Sequence, residues 1–310
     1  METKVRRSED VNQSVATIFL PKPIMPNALR ELIARHCRRP LTPTAIPCLT
    51  LSRADATTAL EMAVVTPLLC VLASGSKRLL LGHDEYRYNP NSYLITSADL
   101  PVRSQVIVAP CLGLALTIDP SVVADVLLAL PSMRTVHPTP LALAVSRLDA
   151  DLADALERLL RLLDRPADIP VLAGLIEREI VYRLLCGTQG EMLRQLALPT
   201  SHHSQIGRAI GILRARYDEK LRIEELARTA GMSVTSFHRH FRAVTAMSPL
   251  QFQKRIRLHE ARRMLLSHDV DAAHVGLDVG YESASQFNRE YRRLFGTPPG
   301  RDAAQVRRHA

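Results

Sequence analysis

The chain has 310 residues, 46% of them hydrophobic, and a formal net charge of +9. That length admits two domains with a core each, and the lack of any run of about 18 apolar residues excludes a membrane-spanning helix. The charge is lopsided: residues 201–310 hold 19 Lys/Arg against 11 Asp/Glu, a net of +8, which leaves +1 for residues 1–200. A basic C-terminal third beside a nearly neutral remainder points to a nucleic-acid partner.

Residues 1–10 are charged and lack an apolar signal core, so a cytoplasmic location is expected. Residues 1–45 read as irregular, punctuated by Pro21, Pro23, Pro26, Pro40 and Pro43, with one short helix over 28–37. From 46 the character changes. Short apolar or alternating runs at 46–51, 61–65, 68–72, 77–81, 92–96, 105–108 and 112–118 predict strands. Pro67, Gly75, Gly82, Pro90 and Pro101 separate them, as in an all-β sandwich or barrel. A helix begins at Pro120. Cys37, Cys48, Cys70, Cys111 and Cys186 form no C-x-x-C pair and no cluster with zinc-ligand spacing, so reduced thiols, no metal and no cofactor are expected. His83, beside Gly82, reads as a loop histidine.

Residues 141–198 predict helices. Val145, Leu148, Leu152, Leu159 and Leu162, with Ala155, fit an a/d stripe of about two and a half heptads. That stripe suggests a helical linker that also forms a homodimer. The boundaries expected are 1–140 for a strand-rich domain, 141–200 for the linker and 201–310 for a third, helical domain.

That last domain contains one pattern twice. Phe237 is followed by Arg239, Phe241, Arg242 and Val244; Phe287 is followed by Arg289, Tyr291, Arg292 and Leu294. Positions 0, +4 and +7 share one helical face, and −2 and +2 share the opposite face. Each copy is therefore apolar behind, with Thr235 and Arg239, or Ser285 and Arg289, in front. A short apolar helix ending in Gly231 or Gly280 precedes each copy, and Ser233 and Ser283 suit the N-cap positions. Helix, Gly-containing turn and second helix make a helix-turn-helix unit. Ser248 followed by Pro249 starts a long helix over 249–266 that joins the two units. Gly276 interrupts the first helix of the second unit, which predicts a soft helix there. The pattern satisfies both apolar faces within 201–310, so that fragment is expected to fold alone.

The region 206–302 resembles the DNA-binding domain of AraC/XylS-type transcriptional regulators. The likeness rests on Ala227 to Gly231, Phe237-x-Arg239-x-Phe241-Arg242, Pro249, Arg257-Leu258-x-x-Ala261, Val279 to Ser283, Phe287-x-Arg289-x-Tyr291, and Phe295-Gly296 with Pro298. Tyr86-x-Tyr88-Asn-Pro-x-x-Tyr93 and the residues after it resemble the N-terminal sensing domain of one branch of that family. The resemblance implies an α+β chain: a cupin-like β-barrel that binds a small-molecule effector, then two helix-turn-helix units that bind double-stranded promoter DNA. It also implies an activator that contacts RNA polymerase. Tyr86, Tyr88 and Tyr93 are candidate effector contacts. Arg239 and Arg289 stand where guanine edges would be read. Thr235, His238, Ser285, Gln286 and Asn288 are further readers, with Gln286 also suited to a capping box with Ser283. Arg242 and Arg292 are placed for phosphates. A cupin enzyme carrying a DNA-binding appendix and a non-specific architectural protein are the rival readings. No nucleophile motif or phosphate loop supports the enzyme, and two dissimilar reading surfaces argue against the architectural protein.

Overall fold

The computed structural model describes residues 27–82, 84–130, 142–197, 201–267 and 271–307. The readings for 1–26, His83 and the 198–200 part of the domain boundary lie outside these residues.

The N-terminal domain opens with helix α1 (Asn27–His36). Seven strands follow: β1 (Leu41–Pro43), β2 (Leu49–Ala54), β3 (Glu61–Val65), β4 (Leu68–Leu81), β5 (Asp84–Tyr88), β6 (Ser92–Thr96) and β7 (Leu100–Thr117). After helix α2 (Pro120–Ala129) comes β8 (Leu143–Arg147), then α3 (Ala150–Arg161), α4 (Ile169–Cys186) and α5 (Gly190–Ala197). All strand pairs are antiparallel, in the order β1-β2-β7-β4-β6-β8, with β3 on β7 and β5 on β4. The α+β expectation holds. Closure into a cupin-like barrel is not seen, because no described pairing joins the two ends of the sheet.

Two long strands form the spine. The expected strands at 68–72 and 77–81 are one strand, β4, and those at 105–108 and 112–118 belong to β7. Register shifts between Leu72 and Lys77 bend the pair. An extra residue at a bulge reverses which side chains face the core. In β4, Leu69 and Val71 join one core cluster, whereas Leu72, Leu79 and Leu81 join the other. In β7, Leu100, Val102 and Val106 lie in the second cluster and Leu112, Leu114 and Leu116 in the first. Gly75, at φ 76°, sits in the bulge, where an added Cβ would lie 2.4 Å from the Val108 carbonyl oxygen. A turn signal in the sequence is thus a bend within a continuous strand.

Helices α1 to α5 cover the first cluster. The helical reading of 141–198 needs correction at its start, because Leu143–Arg147 is a strand paired with β6. The a/d residues also differ from expectation. Leu148, Leu152, Ala155, Leu159 and Leu162 are all buried in this domain's own core, so they are not open to a second copy. An exposed apolar row lies instead on α4, at Val171, Leu175 and Tyr182.

The C-terminal domain comprises α6 (His202–Ala215), α7 (Ile223–Thr229), α8 (Val234–Thr245), α9 (Pro249–Ser267), α10 (Ala272–Asp278), α11 (Ala284–Phe295) and α12 (Pro299–Arg307). It does not have a core wholly its own. The second cluster runs from Leu72, Leu100 and Val102 of the sheet into Ile206, Phe237, Phe241 and Phe252. The Ala142 N–H donates to the Val244 carbonyl at 3.3 Å, and Arg214 pairs with Asp99 at 2.5 Å. The expectation that every apolar face is satisfied within 201–310 therefore fails for the first unit.

Candidate nucleic-acid interface

Both helix-turn-helix units form as expected. In the first, Gly231 (φ 66°) forms the turn after α7, and the Ser233 hydroxyl accepts from the Ser236 N–H at 3.3 Å to cap α8. In the second, α10 ends at Gly280 (φ 88°), and Ser283 caps α11 by accepting from the Gln286 N–H at 3.4 Å. Capping stabilises a helix start by about 1 kcal/mol and sets the angle at which α8 and α11 leave their turns. Between the units, Ser248 and Gln251 form a reciprocal capping box at the start of α9: the Ser248 N–H donates to the Gln251 side chain at 3.0 Å, and the Gln251 N–H donates to the Ser248 hydroxyl at 3.3 Å. Nineteen residues give a connector roughly 28 Å long.

Behind each recognition helix the aromatic residues stack in series. Phe237 meets Phe241, and Phe241 meets Phe252, with ring centroids 5.4 Å apart in both contacts. Phe287 meets Tyr291 at 5.5 Å, and Tyr291 meets Phe295 at 4.4 Å. The Tyr291 hydroxyl donates to Asp302, which also accepts from Arg262 Nε at 2.7 Å. Gly276 proves to be a packing requirement rather than a soft point. A Cβ there would lie 2.9 Å from the Phe287 ring, so α10 and α11 cross closely only without one.

In front, Thr235, His238, Arg239, Arg242, Ser285, Asn288, Arg289 and Arg292 are all exposed. The side chains of Arg242, Arg289 and Arg292 have no hydrogen bond or ion pair among the described residues. They are exposed cations whose side chains have no partner among the described residues. Arg239 Nη2 lies 3.3 Å from His240 Nε2, and His240 stacks on His202 with centroids 3.7 Å apart. Burial, together with His202 and Arg239, lowers the His240 pKa, so its ring stays neutral near pH 7. Gln286 departs from the other readers. It is half-buried, its amide donates to Glu290 Oε1 at 3.1 Å, and its side chain does not close a capping box on Ser283.

The tyrosines expected to meet an effector are wall residues. Tyr88 is 4% exposed and lies in the second cluster, with Tyr86 packed against it. Tyr93, 3% exposed, lies in the first, beyond the strand break at Asn89 to Asn91. Among the described residues no group of three His, Cys, Asp or Glu is placed to hold a metal. No helix of the described residues is long and apolar enough to cross a membrane. Sequence reasoning did not assign a role to Arg257, whose guanidinium reaches both units; its place in the Arg-Leu-x-x-Ala motif was the available signal.

The comparisons agree with this geometry. Residues 45–192 match the family model of the AraC-type transcriptional regulator N-terminus, and 226–305 match a helix-turn-helix domain. The HTH-type transcriptional regulator ArgR of Pseudomonas aeruginosa is 28% identical over 152 residues, 49% of this chain and 46% of the relative. The virulence regulon transcriptional activator VirF of Yersinia enterocolitica is 27% identical over 171 residues, 55% of this chain and 62% of the relative. The chain thus spans about half the length of the curated relatives it matches. Among solved structures, ToxT from Vibrio cholerae strain SCE256 matches with a TM-score of 0.53 at 10% identity, over 81% of this chain and 91% of that one. At that identity the likeness concerns the fold.

Proposed function

Because residues 45–192 match the AraC-type regulator N-terminus and residues 226–305 a helix-turn-helix domain, we propose that this chain is an AraC-type, sequence-specific, DNA-binding transcriptional regulator controlled by a small-molecule effector. The observation that carries this reading is the pair of capped helices, α8 and α11, each with exposed arginines opposite its buried aromatic face and with one continuous helix between them. Arg239 and Arg289 read base edges, with Thr235, His238, Ser285 and Asn288 beside them; Arg242 and Arg292 hold phosphates. Gln286 positions Glu290. We assign the protein to the cytoplasm, where its promoter DNA is, and to activation through contact with RNA polymerase, as the activators among its relatives suggest. It carries out no chemistry of its own.

We keep the effector with the N-terminal domain and place its site at that domain's edge, in a cleft of about 410 Å3 where Gly82 and, on β7, Arg103 meet α9 and α11. Arg103, Lys254, Arg255 and Arg293 line it together with Met247 and Leu258. Lys254 pairs with Glu290 at 2.6 Å, and the three arginines have no carboxylate partner among the described residues. Burial and the facing Arg103 charge lower the Arg255 pKa, a penalty that a bound anion would relieve. An anionic head on an apolar body suits that lining. ToxT, which shares the fold, has been solved with an unsaturated fatty acid bound. A second copy would meet this one at Val171, Leu175 and Tyr182.

The test is DNA affinity at one stated salt concentration. Arg239→Ala is expected to cost about 1–3 kcal/mol on the operator and far less on random duplex. Arg242→Ala should weaken both alike and lower the salt slope by about one contact. Equal losses on both duplexes for Arg239→Ala would assign it to the phosphates.

A further inference from the structure

Two recognition helices engage one duplex together only if the joint between them holds its angle. That joint lies where the α6–α7 connection meets the second unit's turn. Arg257, on α9, donates from Nε to the Tyr217 carbonyl at 2.6 Å and from Nη2 to the carbonyls of Asp218 at 3.2 Å and Glu219 at 2.9 Å. Its Nη1 donates to the Gly280 carbonyl at 2.5 Å. One guanidinium therefore ties the approach to the first unit to the turn of the second. One helical turn earlier, Gln253 donates to the Tyr217 and Glu219 carbonyls at 3.1 and 2.8 Å.

A steric observation marks the same place independently. Gly280 is pressed against this seam so closely that a Cβ would lie 2.1 Å from the Asp218 carbonyl oxygen and 2.8 Å from Arg257 Nη2. The Lys220–Glu282 pair at 3.3 Å crosses the seam at the surface. Arginine suits the position because its donors spread in a planar fork, whereas a lysine ammonium is a point charge that cannot cover carbonyls on both sides. All four acceptors are backbone oxygens, so what Arg257 sets is the relative position of two backbones.

We propose that Arg257 is a positioning residue that fixes the spacing and phase of α8 against α11, so that the chain reads the distance between two half-sites as well as their sequence. The proposal rests on the DNA-binding reading above. It concerns how the two units are coupled, not which bases either one contacts.

The experiment uses the full chain, the operator it selects from a random-sequence duplex pool, and the same operator with one base pair inserted between the half-sites. The insertion turns one half-site by roughly 35° about the helix axis. The wild-type protein is expected to lose on the order of 100-fold in affinity on insertion, about twice the 1.4 kcal/mol that corresponds to tenfold. Arg257→Met should lose about tenfold on the native spacing, as removal of charged hydrogen bonds implies, and should distinguish the two duplexes by less than about threefold. Gly280→Ala, which keeps the guanidinium and forces the seam apart, should flatten the ratio in the same way. Circular dichroism confirms that each variant is folded. A wild-type ratio in the folded variants overturns the proposal. Failure of both variants to fold also overturns it, since Arg257 would then hold the domain together rather than set a spacing. If the wild-type protein selects no operator, the DNA-binding reading is what fails.

Discussion

The two helix-turn-helix units repeat one pattern, but different neighbours lie behind them. The first unit's aromatic face continues without a break into the sheet: Phe237 and Phe241 share a core with Leu72, Leu100 and Val102. The second has a core of its own, in which Phe287 and Tyr291 pack with Leu258, Ala261, Val275 and Ala303. The same local chemistry thus shares a core with the N-terminal domain in one unit and keeps a core of its own in the other. The first unit can feel the sheet directly; the second is tied to the first through α9 and the Arg257 joint.

The largest effect that would break or sharpen this comparison comes from truncating the two central aromatics. Phe237→Ala and Phe287→Ala should each cost about 3–5 kcal/mol, the usual range for a buried ring. Hydrogen exchange should show the first loss spreading into β4 and β7 and the second confined to α10, α11 and α12. A Phe287→Ala variant that opened the sheet as much as Phe237→Ala would remove the distinction.

The next effect is on acid stability. His259, on α9, meets the Phe295 ring edge-on at 6.2 Å, and its Nε2 is buried without a partner. Burial lowers its pKa from 6.5 to about 4, with Glu260 opposing and Arg262 and Arg255 adding to the shift. A histidine with a lowered pKa in the folded state contributes stability that is complete above pH 6.5 and is lost as pH falls toward about 4. The loss is at most ~3 kcal/mol. It should appear first in α11 and α12, and His259→Leu should flatten the urea midpoint between pH 6.5 and 5. An unchanged slope in that variant would assign the acid sensitivity to other groups.

The smallest effect is at the surface. Lys220 and Glu282 are 90% and 84% exposed, so Lys220→Ala should change stability by less than about 0.5 kcal/mol. A larger loss in denaturant titration would mean that this pair, and not Arg257 alone, carries the joint.

Much of the interface was legible beforehand because helix-turn-helix chemistry is local. The cap serines 233 and 283, the glycines 231 and 280, and the 0, +4, +7 aromatic spacing all lie within one or two helical turns, where pattern and backbone geometry coincide. The strands were less legible. A bulge near Gly75 reverses the alternation partway along β4 and β7, so each long strand reads as two short ones. Gly276 looked like a helix weakness because propensity counts only the helix it sits in, whereas its reason is the Phe287 ring beside it.

The sequence by itself determined where the recognition helices begin and end, which of their faces is buried and which cations stand in front, because those features depend on residues close along the chain. Tertiary structure alone decided three further matters. The stripe from Leu148 to Leu162 became core rather than a dimer seam, since α4 and α1 of the same domain cover that helix. The first unit merged with the sheet while the second stayed separate. Arg257 found its four carbonyls 23 to 40 residues away. Each depends on which surfaces meet after folding, and contacts between segments distant in sequence leave no periodic trace in either segment.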